Sequence, residues 1–145
     1  MENREIGEAV YRMASDFYRL RNRSLFDLLK SSGYVQDHDA IGEQQLQIVF
    51  EAKPELIRPW SILSEDQRTK YGYYLLPPGV SSNKGSDWVV GYHPGGKEEH
   101  FSDGPSACGR FVKFEVEDLR YMIEGGPPIK TRSSDRSPAQ AETET

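Results

Sequence analysis

A chain of 145 residues has room for one hydrophobic core and is too short for two ordinary folding units. With 36% hydrophobic and 28% charged residues, and 6 Phe, 8 Tyr and 2 Trp to anchor a core, the composition excludes a natively disordered chain and describes a polar globular protein. The net charge of -5 repels phosphate backbones and anionic lipid and favours basic partners.

From Gly125 onward, Lys130, Arg132 and Arg136 balance Asp135, Glu142 and Glu144, so the whole acidic excess belongs to the part that folds. The opening "MENREIGEAVYRMASDF" has charge around every apolar residue and lacks the apolar run of a signal peptide. No stretch approaches the roughly 20 apolar residues of a membrane span. The lone cysteine, Cys108, permits no intrachain disulfide. These features predict a cytoplasmic protein.

Ile6, Val10, Met13, Phe17 and Leu20 recur at helical spacing and predict a first helix with one apolar stripe. After the polar "RLRNRS", Ser24 with Asp27 at the third helical position forms a capping box. It starts a short helix that buries Leu25, Leu28 and Leu29 and stops at Gly33; a single bent helix over both segments is the alternative. Asp39 is the expected N-cap of a third helix carrying Leu46, Val49 and Phe50. Pro54 begins a new turn, in which "PELIRPW" supplies Leu56, Ile57 and Trp60 to the core. "SEDQ" repeats the capping pattern, with Ser64 as cap and Gln67 three residues on, before the helical signal ends near Lys70.

From Tyr71 the pattern becomes extended. "YGYYLL" and "DWVVGYH", separated by the loop "PPGVSSNKGS", predict two antiparallel strands, and "KEEHF" a third beyond a Gly95-Gly96 turn. A two-residue turn there sets His93 opposite Glu98, Tyr92 opposite Glu99 and Gly91 opposite His100. Trp88, Val90, Tyr92 and Phe101 then face the core, and His93, Glu98 and His100 face outward. A last helix starts at Ser102 or Asp103 with Pro105 in its first turn, presents Phe111, Phe114 or Glu115, Leu119 and Met122, and ends at Gly125-Gly126. Small Ala107, Cys108 and Gly109 are expected to bring it close to the strands. The fold predicted is α+β: a three-stranded antiparallel β-meander packed against several α-helices over residues 1–124, followed by a disordered polar tail over 125–145.

Two imidazoles on a strand diagonal, about 7 to 8 Å apart with a carboxylate beside one, have the residue types of a metal site or proton relay. The outer face of a half-buried sheet carries such residues without any chemistry, and no H-x-x-x-H or C-x-x-C spacing adds a third ligand. Cys108 stands in the first turns of a helix, where the dipole favours a thiolate, yet free cysteines are mostly buried and Ala107 beside it reads as core. "DHDAIGE" lacks the order of a calcium loop, and "HPGGK" lacks the frame of a phosphate loop. No catalytic, metal or cofactor residues are assigned.

The order of elements, with "WSILSEDQRTKYGYYLL" followed by "WVVGYHPGGKEEHFSDGPSACGRFVKFEVE", resembles the small acidic immunity proteins encoded beside polymorphic or contact-dependent bacterial toxins. The likeness spans roughly residues 24 to 123 and lies in layout, a W-V-V-G-Y hairpin and the A-C helix that follows. It implies a non-catalytic inhibitor whose partner is a cognate toxin domain rather than nucleic acid or membrane. It transfers no binding residues. Charge and expected exposure nominate Asp37, Asp39, Glu43, Glu65, Asp66, Glu98 and Glu99 as contacts, with Tyr73 or Tyr74 as aromatic anchors. Two other readings use different residues. A small hydrolase would use His93, His100, Glu98 and Cys108, and a small-molecule or regulatory module would line a pocket with Trp60 and Trp88.

Overall fold

The computed structural model describes residues 3–67, 72–79, 83, 85–93 and 95–125; the polar tail from residue 126 lies outside them. The first apolar stripe folds as two helices, α1 (Asn3–Tyr11) and α2 (Met13–Leu20), separated at Arg12. Ile6, Val10 and Met13 are buried as the spacing requires. Phe17 is only half-buried and Leu20 is exposed, because α2 ends beside it, with Arg21 in the left-handed conformation at φ 66°. The capping box holds as read. Ser24 Oγ accepts from the Asp27 N–H at 3.0 Å and Asp27 Oδ2 accepts from the Ser24 N–H at 3.3 Å. It starts a separate α3 (Leu25–Ser32), which stops at Gly33 with φ 88°.

The third predicted helix begins later than its expected cap. Asp39 lies in a short 3-10 turn, His38–Ala40, and α4 (Glu43–Ala52) starts from Gly42, whose N–H donates to Gln45 Oε1 at 2.7 Å. The reason is Ile41: it is 3% exposed, and burying it takes an extended residue (φ -116°, ψ 99°) between the turn and the helix. Pro54 opens a second 3-10 turn, Pro54–Leu56, as expected. The helix after it, α5 (Ile57–Gln67), runs straight through "SEDQ". Ser64 therefore caps nothing; it is a buried residue inside α5.

Strands β1 (Gly72–Leu76), β2 (Trp88–His93) and β3 (Glu99–Phe101) form an antiparallel meander in the order β1-β2-β3. β1 pairs Leu75 with Val90 and Tyr73 with Tyr92. β2 pairs Trp88 with Phe101, Val89 with His100 and Val90 with Glu99. The second pairing is thus two residues away from that of a two-residue turn. The chain closes instead through the Gly96 N–H to the Tyr92 carbonyl at 2.9 Å, with Gly95 at φ 77°, and Lys97 and Glu98 leave the ladder. A slip of two preserves every face, so Trp88, Val90, Tyr92 and Phe101 still share one side. The outer face is not wholly polar, since Leu76 and its partner Val89 are also buried.

The long helix α6 (Gly104–Ile123) is the centre of the packing. Asp103 Oδ1 accepts from the Ser106 N–H at 2.7 Å, Pro105 sits in the first turn and Gly125 follows the end with φ 97°. Ala107, Cys108, Phe111, Val112, Val116 and Leu119 enter one core with Leu29, Leu46, Phe50, Trp60, Leu75 and Val90. Gly109 departs from the expectation that it faces the strands. It faces α4, where an added Cβ would lie 2.6 Å from Gln47 Cγ and 3.1 Å from the Gln47 backbone nitrogen. The close approach to the sheet is at Gly104, where a Cβ would lie 2.8 Å from the Trp88 ring.

Gly109→Ala is therefore expected to lower stability by about 1–2 kcal/mol. Helix propensity alone argues for a gain of about 1 kcal/mol, but the methyl must push two helix backbones apart, which costs more. Urea unfolding decides between them: a raised midpoint would show that α4 yields freely.

Candidate functional site

The histidines and the cysteine do not converge. Cys108 is fully buried in the core, and burial pushes its thiol well above the ordinary range, so it presents no thiolate to solvent. His93 and His100 are both exposed. His93 lies four residues along β2 from Val89, the partner of His100, roughly 13 Å of strand rather than a diagonal neighbour. Glu98, expected beside His93, lies instead 3.8 Å from His100 Nε2 and accepts from the Tyr74 hydroxyl at 3.1 Å. The Tyr74 ring crosses directly over Gly91, where an added Cβ would sit 2.3 Å from its oxygen. Burial and the neighbouring Glu98 charge push the Tyr74 hydroxyl up to about 12. On the other side of His100, Asp87 Oδ2 is 4.0 Å from Nδ1. Among the described residues, no three His, Cys, Asp or Glu groups are arranged to hold a metal ion.

The nominated acidic residues separate into two kinds. Glu43 and Glu99 belong to the internal framework. Arg110 donates to both Glu99 oxygens at 2.8 Å and to Glu43 Oε1 at 2.9 Å, tying α4, α6 and β3 together. This guanidinium holds the Glu99 carboxyl below the ordinary carboxylate range. It also lies 4.9 Å over the Phe114 ring. Phe114 stacks on Tyr73 at 4.4 Å, and Tyr73 meets Tyr92 edge-on at 4.8 Å. Tyr73 is accordingly part of the packing between sheet and helix, and Tyr74 is held across β2.

Asp37 and Asp39 are of the second kind. Their turn is fixed from beneath by Lys113 of α6, whose Nζ donates to the Ile41 carbonyl at 2.7 Å, the His38 carbonyl at 3.4 Å and the Tyr34 hydroxyl at 2.6 Å. The Tyr34 ring is fully buried, and its hydroxyl donates to Glu117. Arg120 donates to Glu117 Oε1 at 2.8 Å and to Glu124 at 2.8 Å. Desolvation lowers the pKa of Lys113, and the Glu117 charge opposes that shift. Above this network the Asp39 side chain is 99% exposed, 3.2 Å from His38 Nδ1, and Asp37 is exposed as well. Glu65 is exposed near the end of α5; the side chain of Asp66 lies outside the described residues. Arg110 and Lys113 are absent from the predicted site. Their partners stand as far as 79 positions away, so no local pattern reveals them.

Both tryptophans are engaged in packing. The Trp60 indole N–H donates to the Tyr11 carbonyl at 3.0 Å inside the core, and Trp88 covers Gly104. A cavity of about 310 Å³ lies elsewhere, between α1 and α4, lined by Arg4, Gly7, Tyr11, Ile41, Gln45, Leu46 and Val49.

The fold defines an α+β protein, a three-stranded antiparallel meander packed against helices, and no described helix is long and apolar enough to cross a membrane. Comparison of the chain with protein-family models, with curated proteins and with solved structures gives no match.

Proposed function

We propose that this protein is an immunity protein: a non-catalytic inhibitor that neutralises a cognate bacterial toxin by binding it, with the Asp37–Asp39 turn in the contact. The observation that carries this reading is the Lys113 network. It fixes the backbone under two solvent-facing carboxylates, so a basic surface can meet them with little ordering cost. Of the α6 cations, Lys113 under the turn is shared with Glu117 at 3.7 Å, and Arg110 and Arg120 are committed to Glu43 and Glu99 and to Glu117 and Glu124, so the two aspartates are the charges this turn presents to solvent. The resemblance in layout to immunity proteins supports the same reading. Burial of Cys108 removes the nucleophile on which a cysteine hydrolase would depend.

The test is to search the genes adjacent to that of this chain for a toxin domain and to co-express the two; absence of any such neighbour would count against the reading. This protein is expected to restore growth, and Asp37→Asn with Asp39→Asn to weaken the purified complex about tenfold at low salt, mainly through slower association. Failure to restore growth, or equal affinity of the double variant, would count against it.

A further inference from the structure

We propose that the α1–α4 cavity binds a small amphipathic carboxylate, its hydrocarbon or aryl body against Tyr11, Ile41, Leu46 and Val49 and its anionic end on Arg4. The volume, about 310 Å³, is at the lower end of small-ligand sites, which run from about 300 to 1,000 Å³. Arg4, Gly7 and Tyr11 recur at spacings of three and four, so one stripe of α1 lines the cavity while Ile6 and Val10 go to the core. Apolar side chains make the floor, and the polar groups are few, which is the balance expected of a ligand site.

Gly7 is the informative residue. It lies inside α1, where glycine is less stable than alanine, and neither its backbone nor its neighbours require it. An added Cβ would lie 3.5 Å from Ile41 Cδ1 and 3.9 Å from the Tyr11 ring, ordinary contact distances. The absent side chain keeps open space that a larger residue would fill.

Charge selects the ligand. Among the described residues Arg4 makes no ion pair, although the protein as a whole is acidic. The nearby carboxylate, Glu8, is already engaged by the Tyr11 hydroxyl at 2.8 Å, Lys53 at 3.5 Å and Arg12 at 3.6 Å. Glu5 lies about 100° round the helix from Arg4. An exposed cation at the mouth of an apolar cavity complements a carboxylate with an apolar body and opposes an amine of the same shape.

Octanoate, octanol and octylamine titrated into the full chain, followed by amide chemical shifts, test the proposal without any partner protein. Octanoate is expected to saturate shifts at Gly7, Ile41 and Val49 in the millimolar range, with octylamine at least about tenfold weaker. Arg4→Gln, an exposed change, should weaken octanoate about tenfold and leave octanol unchanged, whereas Gly7→Leu should abolish binding of both. Absence of saturable octanoate shifts at these residues, or an Arg4→Gln variant that binds octanoate as well as the parent chain, would overturn it.

Discussion

Glu115→Gln is expected to change stability little near pH 5 and to raise it by on the order of 4 kcal/mol above about pH 8. Glu115 occupies the middle of the buried arc of α6, one turn beyond Phe111 and one turn before Leu119, and is 8% exposed. Burial first, and the charge of Asp118 second, push its carboxyl from 4.5 up to about 8. Between these two values the folded protein holds a proton that the unfolded chain releases. Stability therefore falls as pH rises through the window from 4.5 to about 8, at up to about 1.4 kcal/mol per pH unit. Glutamine keeps the shape and removes the titration, so its advantage should grow with pH and level off once the folded carboxyl is ionised. Urea unfolding at several pH values measures this directly. A difference between the two proteins that does not vary with pH would show that Glu115 titrates as it does in the unfolded chain.

Ser64→Ala is expected to cost about 2–4 kcal/mol, a large effect for the loss of one oxygen. β1 is an edge strand, and Leu75 turns its N–H and carbonyl away from β2. Ser64 Oγ accepts from that N–H at 2.7 Å and donates to that carbonyl at 3.1 Å, taking the place a neighbouring strand would have. The serine is 1% exposed, so alanine leaves two buried backbone groups without their partner. Hydrogen exchange of the Leu75 amide should accelerate together with the fall in unfolding free energy. If the amide stays protected and stability is unchanged, β1 is held to α5 by packing alone.

These two residues also show where sequence reading reached its limit. Helical spacing allows either Phe114 or Glu115 at a core position of the last helix, and the periodicity that favours burial of position 115 carries no information about a proton. Ser64 fits an N-cap pattern equally well, since a serine followed three residues later by glutamine is compatible with either a helix start or a helix interior. What separates the cases is whether a strand arrives above the hydroxyl. That strand begins eight residues later, beyond the reach of any capping rule.

The candidate site was legible in the same uneven way. Charge nominates Asp37 and Asp39, which are exposed, and equally Glu43 and Glu99, which instead hold Arg110; Tyr73, expected as an aromatic anchor, stacks on Phe114. His93 and His100 lie on the expected outer face, because face assignment depends only on odd or even position and survives a slip of two, and Glu98, off the ladder, reaches that face through its contacts with Tyr74 and His100. Their mutual distances depend on loop length, and the loop closed on Tyr92 rather than at the paired glycines.

By itself the sequence determined the elements whose signals lie within about four residues of one another: the Ser24 box, the Asp103 start with Pro105, the stop at Gly33, and the alternating strands of a meander. Tertiary structure alone decided that α4 waits for the burial of Ile41, that Lys113 and Arg110 gather carboxylates and carbonyls from distant segments, and that Gly109 fits against α4. The physical reason is range. Caps and periodicity are satisfied within one turn of chain, while a buried charge or a close backbone approach is settled only by the segment that packs against it.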